Sequence, residues 1–544
     1  MSFTSLFLAG KVQGLTSYFS ITFLVLFFPL CILLYAVMPQ KAKKYYLLTV
    51  SCGFFWLISG KLIAYLFLSI LSAHYFGIWM DRIHTQRTAA VKSAEKENRK
   101  AIKKAYLEKS RYVLIFAAVL NIGALLMLKY TPFFTTNVNS LFGLLNIGLF
   151  IHVPKYLMPI GISFFTLQSL SYLFDVHRET IKPDENIFRL ALFISFFPQI
   201  VEGPICRYSQ TAQQLWDVKQ IEFTNLTHGT QRIIYGLMKK LVIADRLNPI
   251  VKTVFKNYSE YDGGIIAIAA ICYTVQLYMD FSGTMDAVMG IAEIFGVKMP
   301  ENFQRPFFSK TISEFWQRWH ITLGLWFKDY IFYPVTMSKP MKNLTSSARK
   351  KLGNHFGPLV AGSIALFCVW FCNGLWHGAA WHYIFFGMYH FAFILIGNII
   401  SPAVKWTNKK LHINSEWFVY RLLQMIRTSI LVVIGELFFR AEGLRAGLAM
   451  FRKMVTDFHF SQFNEKMLES ISMDRYDFII MAVALLIIFV ISILNEKGIV
   501  VRDSLQKCNV VVRWAVLYAL IMFIVIFGAY GFGYHALDPI YANF

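Results

Sequence analysis

The sequence predicts an all-α protein that crosses a membrane many times. Of its 544 residues, 56% are hydrophobic and 17% aromatic, while only 15% are charged. Long stretches carry no Lys, Arg, Asp or Glu, and the basic residues gather in a few short segments. Ordinary soluble domains carry about 25% charged residues. A water-soluble fold of this length has no means of hiding so much Phe, Leu and Ile, so a single secreted domain and a disordered chain are both excluded. A disulfide scaffold is excluded too. The seven cysteines (Cys31, Cys52, Cys206, Cys272, Cys368, Cys372 and Cys508) are scattered, with no CxxC and no metal-ligand spacing, and read as small apolar side chains.

The membrane segments follow from the gaps in charge. None of the four charged residue types falls between Lys11 and Lys41, Lys129 and Lys155, Asp477 and Glu496, or Arg513 and Asp538. Leu352–Val404 has none either, enough for two passes of about 20 residues each. Further apolar segments lie at Tyr45–Ser59, Leu62–Met80, Tyr112–Leu128, Tyr156–Phe174, Gly263–Met279 and Phe418–Phe439. Ten to twelve membrane-embedded helices are expected from these runs. Backbone groups in lipid must be bonded within the segment, and the runs are too long and too unalternating for barrel strands. The first apolar run lacks a small-residue cleavage site and is expected to be retained.

Net charge is +22. In a soluble protein that excess points to nucleic acid; here its placement points to topology. Ten Lys or Arg lie between Arg82 and Arg111, against four acids from Asp81 to Glu108. Lys41, Lys43 and Lys44 form a second cluster, and Lys339, Lys342, Arg349, Lys350 and Lys351 a third. Basic loops stay cytoplasmic, so the loop at 81–111 is assigned to that side and the amino terminus to the other. A specific anionic ligand is the alternative reading of the clusters, and no nucleic-acid partner is expected.

Between about residues 155 and 390 the chain ceases to read as a simple lipid-facing bundle. Apolar segments are broken by Gly, Pro and charge at PIGISFF (159–165), DVHRE (175–179), FPQIVEGPICR (197–207), YMDFSGTMD (278–286) and WQRWH (316–320). Irregular backbone and ionisable groups are tolerated at membrane depth only inside protein or along a wet cavity. The middle of the chain is therefore expected to enclose a polar chamber, with the ends as its lipid-facing jacket.

Two histidines stand out in that region. His320 lies in ISEFWQRWHITLGLWFKDY, read as one helix in which Glu314 and Arg318 pair four apart on the wet face. Trp316, His320 and Leu323 or Gly324 then share another face. His377 lies in FCNGLWHGAAWHYIFFGMYH, where Asn373, Gly374 and Gly378 loosen the helix and admit a substrate. Imidazole is the usual acceptor of a hydroxyl proton near neutral pH. The bland reading of each is an interhelical hydrogen-bonding group. His382 and His390 do not share a face with His377 and no carboxylate accompanies them, so no metal site is expected. His74, His152, His412, His459 and His535 suggest only loops or snorkelling. Among the acids, Asp280 reads equally as a helix cap or a substrate contact, Asp286 is a near-membrane acid of the same segment, and Asp329 sits at an interface. No GxSxG, P-loop or GxGxxG is present, so a nucleotide fold or a protein-bound nucleophile has no support.

The strings PIGISFF, SYLFDVHRE, FPQIVEGPICRY, QLYMDFSGTMDAVMGIAEIFG, ENFQRPFFSKTISEFWQRWHITLGLWFKDYIFYP and NGLWHGAAWHYIFFGMYH, taken together, resemble the membrane-bound O-acyltransferase family. Their order and spacing are most similar to its bacterial alginate O-acetyltransferase branch. The likeness is densest from about 155 to 395 and continues into GELFFRAEGLRAGLAMFRKM (435–454), similar to the FFRA segment of that branch's extension. This chain departs from the branch at His177, usually Tyr, and at Thr284-Met285, usually Tyr-Ser.

The resemblance implies a ring of tilted transmembrane helices around a central tunnel. It divides the chain into amino-terminal membrane helices (1–154), a catalytic core (155–400) and a carboxyl-terminal extension (401–544). It implies His377 as the family's invariant catalytic His and His320 as its second polar position. Asn373, Trp376, Trp316, Asp329, Gln199 and Asp280 are the substrate or tunnel candidates. No bound cofactor is expected; the implied donor is acetyl-CoA or a carrier-protein thioester. The implied acceptor is an extracellular polysaccharide hydroxyl or a secreted SGNH-type acetyltransferase acting as relay, at a bacterial plasma membrane. Two rivals remain open: D-alanyl transfer from a carrier protein to teichoic acid, and a transporter or flippase whose His and Asp form a proton relay. Against the second stands the absence of a convincing internal repeat.

Overall fold

The computed structural model describes residue 15 and residues 17–530. Among these residues all regular structure is helical; one isolated bridge pairs Phe303 with Trp319, and there is no β-strand. Among the described residues, eight helical stretches are long and apolar enough to cross a membrane: Lys43–Ser93, Arg99–Leu144, Gly263–Ile294, Lys339–His377, Trp381–Lys410, Phe418–Arg440, Arg475–Glu496 and Val510–Phe527. Thr22–Val37 is a shorter apolar helix.

Eight is fewer than the ten to twelve expected, for two local reasons. The apolar segments Tyr45–Ser59 and Leu62–Met80 form one nearly continuous stretch of 51 residues, bent where Gly60 takes φ 54°. The charge-free run after Lys129 is divided between the end of a 46-residue helix and irregular backbone at 145–161, which leaves the Tyr156–Phe174 segment only the helix Ile162–His177. The end of the last apolar run, with His535, lies outside the described residues.

The chain divides into two compact units, one taking residues up to Arg232 with Val288–Pro300, the other Ile233–Ala287 with Glu301 onward. In the first, helices Ile63–Ser93, Arg99–Leu144 and Ile162–His177 pack on one another around small polar groups. The Ser69 hydroxyl lies 2.9 Å from the Ser169 hydroxyl and 3.0 Å from Asn121 Oδ1, and Asn121 Nδ2 donates to Ser72 at 2.7 Å. Short side chains of this kind join apolar helices where burial alone gives no drive to associate. The DVHRE break belongs here: His177 Nδ1 and His84 Nε2 both bond the Ser110 hydroxyl at 2.9 Å, and Arg87 grips Glu179 with two bonds of 2.7 and 2.6 Å.

In the second unit, helices Lys339–His377 and Trp381–Lys410 form a tight antiparallel hairpin. Glycines make the approach possible: a Cβ on Gly387 would lie 2.3 Å from the Trp370 carbonyl oxygen, and one on Gly374 2.6 Å from that of Tyr383. The same unit buries ions. A π-helical turn, Met238–Ala244, carries Lys239 to Asp286 (2.7 Å) and Lys240 to both Asp280 (2.7 Å) and Asp245 (3.0 Å). Asp280 is therefore an ion-pair partner inside the helix Gly263–Ile294 and not the helix cap that its sequence context allowed. The carboxylate enters a helix interior because a buried cation meets it there.

Two outcomes follow for stability. Gly387→Leu should force the hairpin apart and lower both membrane accumulation and the thermal midpoint of the purified protein; an unchanged midpoint contradicts this packing. Lys240→Met should cost about 3–5 kcal/mol, because it strands buried carboxylates without their cation, and a denaturation midpoint equal to that of the parent would show the cluster to be inert.

Candidate active site

The His320 segment begins as the spacing requires. Thr311 caps the helix Ile312–Arg318, its hydroxyl oxygen accepting from the Glu314 amide at 3.0 Å. Glu314 and Arg318 pair four residues apart at 2.9 Å, and Arg318 also reaches Glu496 at 3.1 Å. The helix then stops. Trp319 is extended, His320 is left-handed (φ 47°, ψ 50°), and a new helix runs Ile321–Phe327 before a π-helical turn at Lys328–Phe332. The single helix expected through His320 is thus two helices with a break at the imidazole.

The break is held from the segment 302–304. Ile321 donates its amide to the Asn302 carbonyl (3.0 Å), and Gln304 donates to that of Arg318 (2.9 Å), on either side of the Phe303–Trp319 bridge. The Asn302 side chain adds to this. Its Oδ1 accepts from the Thr322 amide (3.1 Å) and hydroxyl (2.9 Å) and lies 3.2 Å from His320 Nδ1. Its Nδ2 lies 3.2 Å from Met285 Sδ. A non-glycine residue in the left-handed region is strained and persists only where its surroundings hold it.

His377 is the last residue of its helix, followed by Gly378 in extended backbone; a Cβ there would meet the Tyr383 ring at 2.3 Å. Rings enclose the imidazole nearly edge-on: Trp376 at 4.9 Å, Phe439 at 5.0 Å and Phe386 at 6.0 Å between centroids. Trp376 also lies 5.6 Å from His320, which meets Phe281 edge-on at 4.8 Å.

Both imidazoles line one cavity of about 430 Å³ inside the second unit, although His320 is only 3% and His377 only 5% exposed. Trp316, Asn373, Gly324 and Lys328 share its wall. So the three residues assigned to one helical face do meet at one surface, by way of a chain break and not by helical periodicity. Trp316 Nε1 and Asn373 Oδ1 are buried and have no hydrogen-bond partner among the described residues, which suits a wall that receives a polar ligand.

The other candidates separate. Trp376 packs between the two imidazoles. Asp329 is half-buried in the π-helical turn and is not among the lining residues. Asp280 is committed to Lys240. Gln199 belongs to the first unit, where its amide donates to the Phe193 carbonyl at 2.7 Å. His390 is walled in by Trp316, Trp370 and Phe386, and no group of three metal-capable side chains occurs among the described residues. Three contributors escaped the sequence reading. Asn302 sits in ENFQRP and Phe439 in the FFRA segment, strings that carried the family likeness but showed no chemistry of their own. Lys328 gave no signal beyond its charge.

The sequence profile of the MBOAT, membrane-bound O-acyltransferase family matches residues 83–349, a span that includes His320 and ends before His377. The probable alginate O-acetylase of Azotobacter vinelandii is 29% identical over 82% of this chain and 80% of its own length. That of Pseudomonas putida is 30% identical over 66% of this chain and 68% of its own. The teichoic acid D-alanyltransferase of Bacillus subtilis is 30% identical over 47% of this chain and 63% of its own. With its membrane-length helices and its paired imidazoles on one cavity, the chain belongs to the membrane-bound O-acyltransferase family and is a multi-pass O-acyltransferase.

Proposed function

We propose that the protein moves an acetyl group from a cytoplasmic thioester donor, acetyl-CoA, to a hydroxyl on the far side of the membrane. The acceptor hydroxyl belongs to an extracellular polysaccharide or to a secreted relay protein of SGNH type that acetylates one. The observation that carries this reading is the pair of buried imidazoles, His320 and His377, on the wall of one cavity.

In this reading His377 takes the proton of the acceptor hydroxyl as its oxygen bonds to the thioester carbonyl carbon. Collapse of the tetrahedral intermediate breaks the C–S bond, and the leaving thiolate takes the proton back from His377. The products are an ester and a free thiol. General base catalysis supplies about 10²–10⁴-fold; alignment of the two substrates and stabilisation of developing charge in a water-poor cavity supply the rest. Trp376, Phe386 and Phe439 around His377 favour such dryness.

Acetyl is preferred to D-alanyl as cargo on the extent of likeness: 82% of the chain aligns with an O-acetylase relative, against 47% with a D-alanyltransferase. The FFRA segment adds to this, since its Phe439 packs on His377. We assign the protein to a bacterial plasma membrane with a cytoplasmic loop at 81–111 and an amino terminus outside. The basic clusters would attract the phosphates of a CoA donor, an effect that weakens with salt.

Full-length protein in vesicles, given acetyl-CoA or a D-alanyl carrier-protein thioester, should transfer acetyl. His377→Ala should lower that transfer by at least about 100-fold with thermal midpoint and membrane accumulation unchanged; preference for the D-alanyl donor, or normal turnover by the variant, refutes the reading. In a background without native cysteines, a cysteine replacing Glu97 should resist an impermeant maleimide in intact cells and react after permeabilisation. Labelling in intact cells would invert the assigned topology.

A further inference from the structure

We propose that Asn302 is the positioning residue that fixes the tautomer of His320, a residue of the cavity wall, through a clamp on both its backbone and its ring. This rests on the acyl-transfer reading and decides what His320 contributes to it.

The clamp is read from who can donate. The Thr322 backbone amide has only a proton to offer, and it points at Asn302 Oδ1 from 3.1 Å. That atom is therefore the amide oxygen, and Nδ2 is the group facing Met285 Sδ. His320 Nδ1 lies 3.2 Å from the same oxygen. Two acceptors at that distance repel, so Nδ1 carries the hydrogen and the lone pair of the neutral ring resides on Nε2. Asn302 is fully buried, and water does not compete for its oxygen. Meanwhile its carbonyl oxygen holds the Ile321 amide at 3.0 Å, so the residue that sets the tautomer also closes the left-handed break that aims the ring.

The consequence is chemical. A neutral imidazole with its lone pair on Nε2 cannot donate from that nitrogen to an oxyanion. It can accept from a hydroxyl, so His320 serves the alcohol side of the reaction, orienting the acceptor hydroxyl or drawing off its proton. His377 and Lys328 share the cavity, Arg318 precedes the break, and from the helix Gly263–Ile294 Asp280 stands beside Phe281 but is paired with Lys240. The polar side chain that lies against Nδ1 is that of Asn302.

The tautomer is measured without turnover. Nitrogen-15 spectra of histidine-labelled protein in vesicles, with the His320 signal assigned by its loss in His320→Gln, should show Nδ1 protonated and Nε2 bare. In Asn302→Leu that signal should move toward a mixture of tautomers. An Nε2-protonated His320 in the parent protein overturns the proposal. Acetyl transfer to alginate from acetyl-CoA gives the second reading. Asn302→Asp keeps an oxygen for Nδ1–H, but its carboxylate stabilises the charged ring, so neutral His320 is lost at higher pH. The acid limb of kcat should therefore shift upward in pH, while KM for the donor stays within about two-fold. A merely structural Asn302 would lower kcat without moving the limb, and an unmoved limb sinks the inference. Because the spectrum is independent of catalysis, failure of this proposal and failure of acyl transfer are told apart.

Discussion

Buried backbone groups must find their hydrogen bonds inside the protein, and that constraint shapes the His320 break. A buried helix can stop only if the protein supplies the partners that its own next turn would have supplied. Here the supply comes from three residues, 302–304, whose backbone bonds to Arg318 and Ile321 on both sides of the break and whose asparagine reaches the ring itself. The strained φ of His320 is then not a defect to be tolerated but the result of being held from several directions at once. Removing any one bond leaves the others to carry the geometry, which makes a single-residue probe of the ring meaningful.

His377 is fixed by different means. It ends a helix, and its surroundings are rings: Trp376, Phe386 and Phe439 approach its edge or face from three sequence segments. Close glycine packing at Gly374 and Gly387 brings two of those segments together. An amide side chain thus lies against one imidazole, and rings from three segments lie against the other. Trp376 touches both and couples the shape-fixed group to the bond-fixed one.

Much of this was legible in the sequence, because composition and charge gaps speak directly to the lipid constraint. The membrane class, the Glu314–Arg318 pair and the pairing of two histidines at one surface all followed from residue chemistry and spacing, or from family likeness. The break at His320 was not legible. Periodicity through ISEFWQRWHITLGLWFKDY is helical on both sides, and what interrupts it is a partner segment well upstream in the chain. The ion pair of Asp280, which the sequence left open between a helix cap and a substrate contact, was hidden for a related reason: its partner Lys240 is presented by a π-helical turn, which no spacing rule reveals. Asn302 was invisible as chemistry because an amide declares its role only when its donors and acceptors are known.

The difference between the two imidazoles bears on how a single cavity can serve two substrates. In the proposed reaction a base that must take and return one proton works best where water is excluded, and the aromatic edges around His377 favour that. A group that must choose between donating and accepting works best where its tautomer is set in advance, and only a hydrogen bond from the protein can set it. If both histidines were ring-caged, either could present N–H or lone pair to the acceptor, and part of the population would face the hydroxyl with the wrong atom. If both were amide-tethered, the cavity would carry more polar groups and more water, and the thioester donor proposed above would meet hydrolysis. The proposed reaction sets two demands, and the polar group against His320 comes from Asn302, which is fully buried and not among the residues lining the cavity.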